Sequence, residues 1–231
     1  MRSLPIVLAA ALLGSAALAQ QREPAAEVHC VRDERRSEEP AQAERRCLER
    51  LTALASRDGD VLRLALDDGS FKTFMDERTA CEQHEAEKCL MHRLATYYPI
   101  QRLFVVERQA YESFDVIVVS GRTGGVTRMD AHPHLSPGGT RLVAAAAIEA
   151  WEVEQHIAIY YVQKDGLKAE WSYKAKVYEL WEFVSWNGDE RIELNVTLRT
   201  VNRGGAEELA TQRAGLRRTI VGWELNKNVA R

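Results

Sequence analysis

The sequence predicts an all-β protein of antiparallel hairpins, stacked or set in a partial or small ring, with a short N-terminal helical segment. Three observations carry this. From position 61 onward, apolar residues recur with period two in short runs. The runs come in pairs joined by glycine-bearing turns. A helical period appears in one stretch, from Ala41, with hardly any after position 95. Over 231 residues, 45% hydrophobic and 28% charged side chains are ordinary for a globular chain and exclude collagen, coiled coil and wholesale disorder. The formal net charge of −3 offers no basic excess for nucleic acid, so no nucleic-acid partner is expected.

The N-terminus reads as a leader. Arg2 supplies positive charge, Leu4 to Leu18 is almost wholly apolar, and Ala17-Leu18-Ala19 is a small-x-small cleavage site before Gln20. The apolar run is short for a membrane span. No Cys follows the cleavage site and no later run approaches span length, so the mature chain is expected to be soluble, with no membrane span, in the periplasm or secreted. The division is 1–19 signal peptide, 20–59 polar arm and amphipathic helix, and 60–231 antiparallel β domain.

In the helix, Cys47, Leu48, Leu51, Leu54 and Ala55 share one face, Glu44, Arg45, Glu49 and Arg50 the other, and Gly59 stops it. The hairpins follow. Val61 to Leu66 returns through Asp67-Asp68-Gly69-Ser70 as Phe71 to Phe74. Phe114 to Val119 turns at Gly121 to Gly125 into Val126 to Met129, and His156 to Val162 turns at Lys164-Asp165-Gly166 into Leu167 to Trp171. Tyr178 to Trp186 turns at Asn187-Gly188 into Arg191 to Leu198. Leu103 to Val106, Arg141 to Ala147 and Thr219 to Leu225 complete the strands. Ile192, Leu194, Val196 and Leu198 alternate with polar residues, giving one wet face, whereas Ile157 to Val162 is apolar on both faces and belongs in the middle.

An even count of four cysteines in an exported chain reads as two disulfides. Three pairings exist; proximity favours Cys30–Cys47 and Cys81–Cys89. Cysteines eight residues apart on one helix would sit about 12 Å apart along its axis, whereas a disulfide needs Cα atoms within roughly 7 Å. Bridge and continuous helix through 81–89 exclude each other, and oxidation favours the bridge, with the helix limited to a turn or two.

The segment His132-Pro133-His134-Leu135-Ser136-Pro137-Gly138-Gly139-Thr140-Arg141-Leu142-Val143 resembles the opening of a TolB-type β-propeller blade, in which a Ser-Pro-Asp-Gly turn leads into an apolar strand. Val184 to Ile192 is a second copy, without the Pro. Gly138 stands where that family usually has Asp. The resemblance covers roughly residues 100–200 and implies a protein-binding or scaffolding surface in the periplasm, with no catalytic residue. At roughly 40–45 residues per blade the β region makes about four blades, so a partial ring or an open stack is as consistent as a closed one.

Candidate chemistry is sparse. Asp130, His132 and His134 could reach one metal from an extended segment, since alternate residues point the same way, with His156 as a third imidazole if the strands align. The plainer alternative is a polar turn. Cys81-x-x-His84 and Cys89-x-x-His92 invite a zinc reading that oxidation opposes. Trp151, Trp171, Trp181 and Trp186 could stack on a glycan or grip a partner, though large aromatics more often bury. No nucleophile elbow, phosphate loop or dinucleotide fingerprint is present, so no catalytic residue and no cofactor is assigned. The expected function is an exported, non-catalytic binding or scaffold protein of the cell envelope, with a metal-dependent protein and a glycan-binding module as alternatives.

Overall fold

A computed structural model describes residues 27–30, 39–147, 153–175, 179–201 and 207–227. The leader, most of the polar arm and Trp151 lie outside the described residues.

Among the described residues, sixteen strands form four antiparallel sheets, accompanied by two helices. Helix α1 (Pro40–Arg50) precedes a three-stranded sheet of β2 (Ala55–Asp58), β3 (Val61–Ala65) and β4 (Phe71–Met75). Helix α2 (Arg78–Glu82) leads into a second sheet of β5 (Leu90–Tyr98), β6 (Leu103–Ala110), β7 (Phe114–Ser120) and β8 (Val126–Met129), whose β5 edge is extended by β1 (Val28–His29). The third sheet holds β9 (Pro133–Leu135), β10 (Arg141–Ala145), β11 (Ile157–Gln163) and β12 (Gly166–Tyr173). The fourth holds β13 (Glu179–Trp186), β14 (Arg191–Val201), β15 (Glu207–Thr219) and β16 (Gly222–Asn226). Apart from β1, each sheet is an up-and-down meander of consecutive strands, the simplest way to pair a chain rich in short turns.

Three apolar layers join the four sheets. Leu62 and Leu64 of the first sheet and Cys47 and Leu51 meet Tyr97, Phe104 and Val119 of the second. The other face of the second sheet, with Leu103, Val105 and Val118, packs on Leu142, Ala158 and Tyr160 of the third. The opposite face of the third, Val143, Ile157 and Ile159, packs on Trp181, Ile192, Leu194 and Val196 of the fourth. Strand β11 is therefore central, as its two-faced apolar run requires. The period-two pattern of β14 turns Ile192, Leu194 and Val196 inward and leaves a polar outer face that ends the stack.

The turn between each odd-numbered strand from β3 onward and its successor lies at one end of the stack, and these turns bond across sheets. Asp67 donates its N–H to the Gly121 carbonyl (2.8 Å), and Gly121 donates to Arg102 (2.6 Å). The Thr123 hydroxyl donates to the Asp165 carbonyl (2.8 Å), and Gln101 Nε2 to that of Gly139 (3.2 Å). Asp189, in the β13–β14 turn, accepts from Gly138 N–H and the Thr140 hydroxyl, both at 2.7 Å. A Cβ at Gly138 would collide with that carboxylate, so a larger residue here would have to displace the Asp189 side chain.

Both proximity pairings of the cysteines are present. Cys30–Cys47 ties β1 to α1 with Cα atoms 5.2 Å apart, and Cys81–Cys89 closes at 4.4 Å. The second limits α2 to five residues, after which His84 adopts a left-handed backbone (φ 56°).

Some expectations need correction. The helix stops at Arg50, well before Gly59, because Leu51 caps it and Ala55 already opens β2, whose partner is β3. The β region thus begins inside the segment assigned to arm and helix, and β1 also belongs to a sheet. Glu44, placed on the polar helix face, is only 5% exposed. Strands β5, β9 and β15 are absent from the sequence reading, and the strand expected over Thr219 to Leu225 is broken by a turn at Ile220–Val221 into the end of β15 and β16. The run Glu-Glu-Leu-Ala-Thr-Gln-Arg-Ala at the start of β15 has helix-forming composition; pairing with β14 along its whole length and with β16 at its C-terminal end overrides it.

Candidate functional site

An open groove of about 850 Å³ lies between α1, β2, the start of β5 and the end of β6, at the end of the stack opposite the linked turns. Leu48, Ala55 and Met91 give it an apolar floor, and Arg45, Glu49 and Arg78 stand on its rim. Beneath it lies a buried charge network. Arg57 grips Glu44 with two nitrogens (Nε to Oε2 2.8 Å, Nη2 to Oε1 3.0 Å) and Asp76 Oδ2 with Nη1 (2.8 Å). Its Nη2 also donates to the His92 carbonyl (2.5 Å). Glu44 Oε1 accepts Leu94 N–H (2.8 Å), and Asp76 Oδ1 accepts His92 N–H (2.7 Å) and pairs with His92 Nδ1 (3.2 Å).

Each charge is placed by a different element: Glu44 by α1, Arg57 by β2, Asp76 by the segment after β4, and His92 by β5. Burial alone would raise the Asp76 pKa, but the His92 ring and N–H and then the Arg57 guanidinium outweigh it and hold this carboxyl below its ordinary range. Burial opposes the Arg57 charge too, and Glu44 and Asp76 overcome it. The polar atoms of the network are thus spent on one another. Beside it, Arg93 pairs with Glu107, whose other oxygen lies 3.0 Å from His132 Nε2.

The metal candidates are held apart by other partners. Asp130 Oδ2 accepts the N–H groups of Glu154 and Gln155 (3.0 and 2.8 Å). His132 faces Glu107, whereas the His134 ring stacks on Phe183 with centroids 4.0 Å apart. His156 is fully buried; its Nδ1 accepts Ala175 N–H (3.1 Å), so its proton sits on Nε2, which has no partner. Among the described residues, no group of three or more His, Cys, Asp or Glu side chains is arranged to hold a metal ion. Cys81 and Cys89 are consumed by their bridge, His84 is exposed, and His92 belongs to the charge network.

Trp181 is fully buried and donates to Glu179 (3.2 Å). Trp171 stacks on Tyr173, and Trp186 meets Trp223 edge-on while donating to the His134 carbonyl (3.1 Å). These three pack the third sheet to the fourth rather than form one exposed aromatic face.

The chain matches no protein-family model, no curated protein and no solved structure. The site is therefore read from its own geometry. In the sequence His92 stands out only in the Cys89-x-x-His92 spacing and Glu44 only on the polar face of the helix; the fold alone joins them to Arg57 and Asp76.

Arg57→Met leaves Glu44 and Asp76 buried without their cation and should cost about 3–5 kcal/mol of stability, measured by urea unfolding at neutral pH; a loss below about 1 kcal/mol would contradict the network's role. His156 is held below its ordinary range, first by burial and then by Lys174, against opposing pulls from Glu179 and Asp130. The unfolded chain therefore takes up this proton first, and stability should fall as pH drops below about 6.5, by up to about 1.4 kcal/mol per unit. His156→Gln, whose side-chain carbonyl can still accept from Ala175, should lessen that slope and leave the share of His134, whose pKa burial lowers to about 4; an unchanged slope would contradict the assignment.

Proposed function

We propose that this is an exported, non-catalytic binding or scaffold protein of the cell envelope, working in the periplasm, with the groove over the Arg57 network as its contact surface. The observation that carries the reading is the saturation of that network. Glu44, Arg57 and Asp76 are occupied by each other and by backbone groups, so the groove offers a preshaped wall rather than an unpaired reactive group. The paired cysteines belong to an oxidising compartment outside the cytoplasm, and no helix among the described residues is long and apolar enough to cross a membrane. The leader motif supports export.

The TolB-type reading is supported by three four-strand meanders in succession and by a Ser136–Thr140 turn that opens directly into β10. At Gly138, where the chain departs from that pattern, Asp189 approaches closely.

A photo-crosslinker placed at Glu49 on the groove rim tests the reading, with Thr211 on the outer face of β15 as control. The expected result is a discrete envelope adduct from Glu49, absent from Thr211 and lost when Met91→Arg fills the groove. A hydrolytic activity abolished by one substitution that leaves the fold intact would overturn it.

A further inference from the structure

Among the described residues, the sheet edges are blunted in every place but one. Strands β1, β9, β8 and β2 are two to four residues long, and β9 opens with Pro133. Strands β4 and β16 have five residues each. Where β5 runs past β1, Glu44 takes the Leu94 N–H and Asp76 the His92 N–H. The two longer edge strands are bulged, β12 at Glu170 and β13 at Val184. Short strands, proline and bulges are the usual means of keeping an open edge from pairing with another chain.

The exception is the first part of β15. This strand has 13 residues and pairs with β14 from end to end without a break in register. Strand β16 covers only residues 215–219 on its other side, so residues 207–214 face no strand there. The stretch contains neither Pro nor Gly, and at about 3.3 Å per residue it spans roughly 25 Å. Arg218 turns its N–H to the β14 side, onto the Glu190 carbonyl (2.8 Å). Backbone groups alternate along an antiparallel strand, so Glu207, Leu209, Thr211 and Arg213 turn theirs to the open side. Leu209 is 67% exposed, and Arg213 is exposed too. A row of unspent N–H and C=O groups fits one kind of partner, another β-strand.

We propose that this strand is the same stretch of a second copy of the chain, paired antiparallel across a twofold axis at Ala210. In that register the stretch is complementary to itself. Leu209 exchanges both backbone hydrogen bonds with the second copy's Thr211, and Glu207 does so with its Arg213, so opposite charges meet twice. Ala210 meets its own copy in a non-hydrogen-bonded pair, where Cα atoms come within about 4.5 Å and a small side chain fits. The register uses residues 207–213 and stops short of Gly215, where β16 covers the strand. Pairing of this isologous kind closes at two copies and joins their fourth sheets into one. The contact involves neither the groove nor its charge network, and it does not rest on the envelope reading.

Sedimentation velocity of the disulfide-bonded chain over a range of concentrations tests the proposal, and a monomer–dimer equilibrium is expected. Thr211→Pro removes an N–H that β14 does not use and should leave a monomer with an unchanged circular-dichroism spectrum. Arg213→Glu sets like charges opposite each other twice and should weaken the dimer about tenfold or more; adding Glu207→Arg should restore it. A photo-crosslinker at Thr211 should join two copies of the chain, an adduct distinct from the one expected at Glu49. A chain that stays monomeric at every concentration, a dimer indifferent to Thr211→Pro or to Arg213→Glu, or a charge swap that restores nothing would overturn the proposal. So would a Thr211 crosslink to some other protein in place of a second copy.

Discussion

The architecture depends on the two-faced burial of the third sheet. Strands β10 and β11 send Leu142, Ala158 and Tyr160 to one side and Val143, Ile157 and Ile159 to the other. A four-stranded meander with one apolar face cannot bury that face alone; a sheet apolar on both faces must have a neighbour on each side. The second sheet is built the same way, with Phe104 and Val119 facing the first sheet and Val105 and Val118 facing the third. The first and fourth sheets end the stack, and the polar outer face of β14 shows how that is done: Glu193, Asn195 and Thr197 point away from the core that Ile192, Leu194 and Val196 fill.

Packing fixes which faces meet, and polar contacts fix how they align. At one end, Asp189, Gln101 and Thr123 bond turn to turn across neighbouring sheets. At the other, Arg57 draws together charges from α1, β2, the segment after β4 and β5. The Cys30–Cys47 bridge binds β1 to α1. The two ends therefore differ in kind. One holds a groove over a buried, hydrogen-bonded charge network, and the other presents a level of turns with protruding apolar tips.

What the sequence made legible was whatever local chemistry decides. Period-two alternation placed β3 and β14, and continuous apolar runs bounded by turns placed β7 and β11, because one or both faces must be buried. Asp-Gly and Asn-Gly placed the turns at Asp68-Gly69, Asp165-Gly166 and Asn187-Gly188. Short loops made the disulfides readable. Strand β15 was hidden because its helix-forming composition yields only to the pairing of its neighbours. The groove network was hidden for a related reason: Glu44, Arg57, Asp76 and His92 are ordinary polar residues until four elements converge. The histidines at 132, 134 and 156 were visible in the sequence, but their different partners are set by tertiary contacts with Glu107, Phe183 and Ala175.

The central claim is that the two inner sheets form the stable body and that the outer sheets depend on them. Native-state amide hydrogen exchange tests it most directly, because protection reports the free energy of the opening that exposes each amide. The account predicts the slowest exchange at Val105, Val118, Val143 and Ile159, with β2–β4 and β13–β16 released in openings of lower free energy. Stronger protection in β13–β16 than in β10 and β11 would contradict it.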